Sequence, residues 1–365
     1  MLNSKVLKSY FEQSELSLAY MEEKVSPNFS KFLTGEKQPS YQQLVKIAKQ
    51  FDIPVGLLLL NKPVAEPAAK LKFRTINSEY LAKQSPELRD TILEMQDKQD
   101  FLKDEIDTSL DFVGKFSTKS NYLEVANCIK QELNLGASPY LKGGNYFNFL
   151  RNKVDQLGVF VFLNGKVKDN SHRTLNVDEF RGFVLVDKEA PIIFINQRDS
   201  KNGQVFTLIH ELTHLFIGES EILGTQSIER DYDKTEAFVN KVTAEILVPN
   251  SVFREMVEQQ GQDLDVLAKY FRVSKFVIAR RLKDNRYISA KDYNRLVSEL
   301  NLELTKYVQK KSSGGNYHNN LKYRIDRNFF KYVEGALNNQ KISYTDAFNI
   351  VGVGYKGYQA LRESR

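Results

Sequence analysis

His210, Glu211 and His214 stand in the order His-Glu-x-x-His within "FTLIHELTHLFIGE" (206–219). A helix turns once in 3.6 residues, so His210 and His214 share a face and can both ligate one ion. Glu211 lies one residue's rotation away. It can reach a metal-bound water as a general base without taking a coordination position. The chemistry on offer is metal-assisted hydrolysis. Zinc would lower the pKa of a bound water to about 7 and polarise a scissile carbonyl, and Glu211 would take the proton. The competing reading is a pair of satisfied core histidines. Buried imidazoles need partners, and the rest of this helix is apolar, through Val205, Phe206, Leu208, Ile209, Leu212, Leu215 and Phe216.

A catalytic zinc usually has three protein ligands. His172 and His318 are the other histidines, and both sit in polar, loop-like segments. A carboxylate is therefore the expected third ligand. "DKTEAFVNKVTAEILVP" (233–249) reads as a helix ending before Pro249, with Glu236 near its start. Asn240 lies one turn on, on the same face, where it can orient a ligand. Glu219, Glu221, Glu229, Asp233 and Glu245 are rivals that the pattern leaves open.

Elements must place these groups. "GVFVFL" (158–163), "FRGFVLV" (180–186) and "PIIFIN" (191–196) are β-branched and aromatic runs bounded by turn residues, and they predict strands. The zinc helix would bury its apolar side on that sheet, with Gly218 as its stop. "PIIFIN" is expected to lie where an extended peptide can add to a sheet edge. Helix is predicted from about residue 203 to the end. Residues 79–107 predict a charged helix with Leu88, Ile92, Met95, Gln99 and Leu102 along one face, read as a solvated connector. Asn61 to Lys70 and "SSGGN" (312–316) read as linkers. The fold class is α+β: a zincin-like domain, a small sheet plus active-site helices, flanked by all-α segments. The expected segments are 1–62, 63–135, 136–255, 256–311 and 312–365.

Cys128 is the single cysteine, which excludes an internal disulfide framework or a cysteine zinc cluster and suits a reducing cytosol. The amino terminus has no apolar signal run, and no stretch approaches a membrane span. A cytoplasmic location is expected. Net charge is +6. From Ser251 onward 21 Lys+Arg face 12 Asp+Glu, so the basic excess is carboxy-terminal. That suits nucleic acid, an acidic partner or a solvated helical surface.

"EFRGFVLVDKEAPIIFINQRDSKNGQVFTLIHELTHLFIGES" and "EAFVNKVTAEILVP" together resemble the ImmA/IrrE family of metallopeptidases. "LSLAYMEEKVSPNFSKFLTGEKQPSYQQLVKIAKQFDIPV" resembles an Xre/Cro-type helix-turn-helix, which often precedes that domain in phage, mobile-element and toxin–antitoxin loci. The resemblance implies His210, His214 and Glu236 as zinc ligands and Glu211 as base. Thr213 stands where the family usually has glycine, Val239 replaces an alanine, and Val242-Thr243 replace Phe-Ala; these departures concern packing. The resemblance implies an endopeptidase acting on a repressor or antitoxin-like protein. The alternative is a DNA-binding regulator or antitoxin whose peptidase-like domain senses a partner without turnover. DNA is the second expected partner, a homodimer is allowed, and no membrane is expected.

In a helix-turn-helix the second helix enters the major groove. Here it is "PNFSKFL", with Ser26 as N-cap and Pro27 at the first helical position. It offers Asn28, Ser30 and Lys31, with Lys24, Thr34 and Lys37 as phosphate contacts. Residues 1–62 contain eight lysines, no arginine and six acids, so the common Arg-to-guanine contact is missing. "DVLAKYFRVSKFVIARRLKDNRYIS" (265–289) is a second such pattern. Ser274 is its expected cap, and Lys275, Arg280 and Arg281 lie on its second helix. The aromatic tail from Asn316 carries no assigned chemistry.

Overall fold

The computed structural model describes residues 2–13, 16–51, 53, 55–60, 62, 85–136, 144–218, 222–224, 230–307 and 317–363. Both expected linkers fall largely or wholly outside these residues. The chain divides into two compact units, Met1–Ile76 and Asn77–Arg365.

The first unit is all helical: α1 (Ser4–Gln13), α2 (Leu18–Lys24), α3 (Phe29–Thr34), α4 (Tyr41–Phe51) and α5 (Val55–Leu58). Its core joins Val6, Leu7, Met21, Phe29, Phe32, Ile47 and Leu58, with Phe11 edge-on to Phe29 at 5.4 Å. α2 and α3 meet through a tight joint, where Ser26 N–H donates to the Met21 carbonyl and Phe29 N–H to Ser26. α3 starts later than expected, with Asn28 at its N-cap position. Ser26 closes the preceding turn instead, its hydroxyl accepting from Asn28 N–H at 3.3 Å. Gly35 ends α3 in the left-handed region.

The second unit is built on a four-stranded sheet of β1 (Phe160–Asn164), β2 (Phe180–Leu185), β3 (Ile192–Asn196) and β4 (Ile222–Gly224), in the order β1-β3-β2-β4. β1 runs parallel to β3, and β2 runs antiparallel to both β3 and β4. The three expected strands are present. The expected edge role of "PIIFIN" is overturned, because β3 is hydrogen-bonded on both sides and the edges belong to β1 and β4.

Side chains alternate across a strand, and this sheet buries both faces. Val161, Leu163, Val184, Ile193 and Ile195 join the main core, together with α9 (Lys201–Ile217). That core also takes in α7 (Tyr122–Glu132), α8 (Tyr146–Gln156), α10 (Arg230–Leu247), α11 (Asn250–Gln260), α12 (Leu264–Phe271) and α13 (Lys275–Asp284). On the other face, Phe183 stacks on Phe194 at 5.1 Å and Phe162 meets Phe329 at 5.1 Å.

That second face is covered by α6 (Pro86–Lys103) and by α16 (Arg327–Asn338). α6 is no solvated connector: Leu88, Ile92, Met95 and Leu102 are all buried. Gln99, the polar member of that row, donates to the carbonyls of Leu185 (3.1 Å) and Ala190 (2.9 Å) at the β2–β3 turn. α14 (Ala290–Tyr307), α15 (Tyr317–Arg324), α17 (Tyr344–Val351) and α18 (Tyr355–Arg362) complete the unit. Of the tail aromatics, Phe329, Phe330 and Tyr358 are core, whereas Tyr332, Tyr344 and Tyr355 are exposed. Among the described residues no helix is long and apolar enough to cross a membrane.

Candidate metal centre

α9 is fixed at both ends. The Ser200 hydroxyl accepts from Gly203 N–H at 3.0 Å, an N-cap that satisfies one of the helix's orphan donors. At the other end Gly218 adopts φ +80 and donates to the His214 and Leu215 carbonyls. A Cβ at Gly218 would lie 2.8 Å from the Gly114 Cα, so only glycine fits this close approach. The segment 110–116 then satisfies further carbonyls of the last turn. Gly114 N–H donates to Leu215 and Phe116 N–H to Phe216, each at 2.9 Å. A helix held this way presents its side chains at fixed azimuth.

His210, Glu211 and His214 are fully buried on α9. α10 packs beside it and contributes Glu236, whose side chain is 13% exposed. The Nε2 atoms of the two histidines lie 3.1 Å apart. His214 Nε2 is 3.0 Å from Glu236 Oε1, and His210 Nε2 is 3.4 Å from Oε2. These three residues form a group whose ligand atoms all lie within 4.8 Å of one another. If both Nε2 atoms present lone pairs, three acceptors converge here, an arrangement that a cation stabilises. Burial lowers the His214 pKa, against the pull of Glu236. Burial opposes ionisation of Glu236 as well, but the two histidines outweigh it and hold its carboxyl well below the usual range. Two imidazoles and a carboxylate are a donor set of catalytic zinc sites. The residues present therefore fit the ion.

Glu211 faces the sheet at Gly182. A Cβ built there would come within 3.5 Å of Glu211 Oε1, 2.5 Å of the Thr207 methyl and 2.8 Å of the Phe194 carbonyl oxygen. Gly182 is thus the place where α9 and its carboxylate approach the β2 backbone. It was not among the sequence candidates, although a glycine inside a β-branched run signals such an approach. Thr213, one of the departures from the pattern, is buried and donates to the Ile209 carbonyl at 2.8 Å.

Other candidates are placed elsewhere. Asn240 is exposed and makes no hydrogen bond to His210, His214 or Glu236 among the described residues. Glu245 is engaged at the far end of α10, accepting from Arg281 at 2.7 Å and from Asn250 N–H at 3.1 Å. His172 is exposed. Glu219, Glu221 and Glu229, and the side chains of Asp233 and His318, lie outside the described residues.

The expected nucleic-acid contacts divide. Lys24, Lys31, Thr34 and Lys37 are exposed in the first unit, with Asn28 and Ser30 partly so, and Lys24 pairs with Glu23 at 2.9 Å. In the second unit Arg281 cannot reach a phosphate. It is buried, and its guanidinium donates to Glu245 and, at 2.6 Å, to the Val248 carbonyl. Lys275 pairs with Asp265 at 2.8 Å, and Arg280, although exposed, pairs with Asp284 at 3.0 Å. Ser274 holds the N-cap position of α13, but its side chain makes no capping bond.

Residues 154–283 match the family model of the IrrE N-terminal-like domain, Peptidase_M78. That span runs from the end of α8 to the end of α13 and contains the whole sheet, Gly182 and the four site residues. No curated protein matches the chain.

Proposed function

We propose that the IrrE N-terminal-like domain of this chain is a zinc-dependent endopeptidase whose substrate is a regulatory protein of repressor or antitoxin type. The observation that carries the reading is the convergence of His210, His214 and Glu236 beside a buried glutamate on the same helix. Zinc, when held there, supplies Lewis acidity toward a water and a carbonyl. Glu211 takes the proton of the attacking water as its oxygen bonds to the scissile carbon. The same carboxyl returns that proton to the amine nitrogen as the C–N bond breaks. The helix ends fixed by Ser200 and Gly218 keep Glu211 in register with the two histidines, which is the positioning such a transfer requires. Because β3 is interior and Asp326 and Arg151 occupy the outward N–H and carbonyl of Val161 on β1, an extended substrate would pair with β4 rather than with "PIIFIN".

The helical first unit, with exposed Lys31 and Lys37, is proposed to bring the peptidase to DNA. Arg281 takes no part in that binding. Within the second unit, exposed Arg280 is the weaker candidate, because Asp284 neutralises it. The full burial of His210, Glu211 and His214 favours one other reading: a regulator that binds or senses a partner and does not turn over. The two are separated by Glu211→Gln assayed on a neighbouring repressor or antitoxin. The enzyme reading predicts a loss of cleavage of about 10²-fold or more with the metal retained. A regulator tolerates the substitution, and full biological function of the variant would sink the enzyme reading.

A further inference from the structure

A cavity of about 350 Å³ opens on the side of α9 away from His210 and His214. Its walls come from the start of α8 (Asn145, Tyr146), the first turn of α9 (Lys201, Asn202) and the end of α12 (Lys269, Arg272). Three cations line it and no carboxylate does. Neighbouring cations of this unit have acidic partners: Lys275 with Asp265, Arg280 with Asp284, Arg281 with Glu245, Arg181 with Asp199. Among the described residues Lys201, Lys269 and Arg272 have none.

Lys201 is held by neutral groups. Its Nζ lies 3.4 Å from Gln204 Oε1 and 3.3 Å from the Tyr323 hydroxyl, and 4.6 Å from the centre of the Tyr323 ring. Burial lowers its pKa with no anion to oppose the shift. Arg272 spends one donor on the Gly144 carbonyl at 2.9 Å and places its guanidinium 6.0 Å from the centre of the Tyr146 ring. It also occupies the left-handed C-cap of α12 at φ 56, a conformation that favours glycine or asparagine. Strained residues of this kind gather at binding sites. The amino-terminal end of α9 adds positive potential at the same wall.

We propose that this cavity binds a phosphate-bearing small molecule, with Lys201, Lys269 and Arg272 around the phosphates and the amide N–H groups of Asn145, whose oxygen caps α8, completing the shell; Asn202 spends its amide on the Val273 carbonyl at 3.0 Å. Three unneutralised cations match a polyanion better than a single carboxylate. Arginine's planar fork and lysine's point charge are the usual phosphate ligands. The volume lies within the range of small-ligand pockets. The site is separate from the metal centre but shares its helix, and the inference stands whether or not the chain cleaves peptides.

The test is calorimetric titration of the full chain with two probes, pyrophosphate and ADP, at low salt and with a chelator present. Saturable binding is expected, weakened about tenfold or more by Lys201→Gln and by Arg272→Gln. Lys269→Gln, at an exposed position, serves as the variant least able to disturb folding, and circular dichroism checks all three. Equal affinity for both probes identifies a phosphate-only site, and a preference for ADP identifies a nucleotide site; either supports the proposal. Absence of saturable binding by the folded protein overturns it, as does binding that all three variants retain. A single-stranded oligonucleotide that outcompetes both probes with a steep salt dependence also overturns it, since the surface would then be a nucleic-acid groove.

Discussion

Gly182 and Glu211 share one small space between β2 and α9. A methyl group at position 182 would meet the Thr207 methyl and the Phe194 carbonyl below contact distance, so the helix would have to move off the sheet. Gly182→Ala is expected to cost about 1–3 kcal/mol in denaturant unfolding. It is also expected to lower activity by more than that stability loss explains, because Glu211 moves with its helix. At the candidate ligands, Glu236→Gln should weaken zinc affinity by more than the ~10–100-fold that losing a ligand's hydrogen-bond partner costs, while leaving the fold intact, as read by competition with a metallochromic chelator. The shared face of His210 and His214, with Glu211 beside it, was legible in the sequence because four-residue spacing on a helix is a local rule. From the pattern alone Glu236 could be named only among rivals, since its approach to α9 is a tertiary fact; the family resemblance singled it out. Gly182 was legible in principle, as a glycine where a strand wants bulk.

α10 brings Glu236 to the histidines, and the other end of that helix is tied down by Arg281. The buried guanidinium bridges Glu245 and the Val248 carbonyl, so α13 acts as a clamp on α10. Arg281→Ala removes one partner of a buried ion pair and should destabilise the unit by about 3–5 kcal/mol in chemical denaturation. This is also why Arg281 looked like a nucleic-acid contact from the sequence. A basic residue on a helix reads the same whether it faces solvent or a buried carboxylate 36 residues away. α6 misled for the same reason. Its charge suggested a solvated connector, yet Thr91, Lys98 and Gln99 are each accommodated by a specific partner or by burial. The strands were legible because both faces of this sheet are covered, giving nearly continuous apolar runs.

Across the second unit, the carboxy-terminal helices form a structural layer. α16 seals the sheet face through Phe329, and its N-cap Asp326 reaches β1, accepting from Val161 N–H at 3.0 Å. Beside it Arg151 donates to the carbonyls of Tyr323 and Val161, each at 2.6 Å. Asp155 sits in this cluster, and its carboxyl is pushed up to about 8 by burial and by the Asp326 carboxylate, against the pull of Arg151. A carboxyl with a raised folded pKa binds more protons folded than unfolded. Stability should therefore fall as pH rises from the ordinary carboxylate range toward 8. The expected loss is about 1 kcal/mol after solvent screening at the cluster's open side, and Asp155→Asn should flatten that part of the thermal-stability profile. A profile unchanged by the substitution would remove Asp155 from the explanation.

The most direct measurement of the central claim is metal content by elemental analysis of the purified chain, alongside Glu211→Gln and the double variant His210→Ala/His214→Ala. A metal centre built from His210, His214 and Glu236 predicts about one zinc per chain in the parent and in Glu211→Gln, and near none in the folded double variant. A parent that takes up no divalent metal, or a folded double variant that binds as much as the parent, would contradict it.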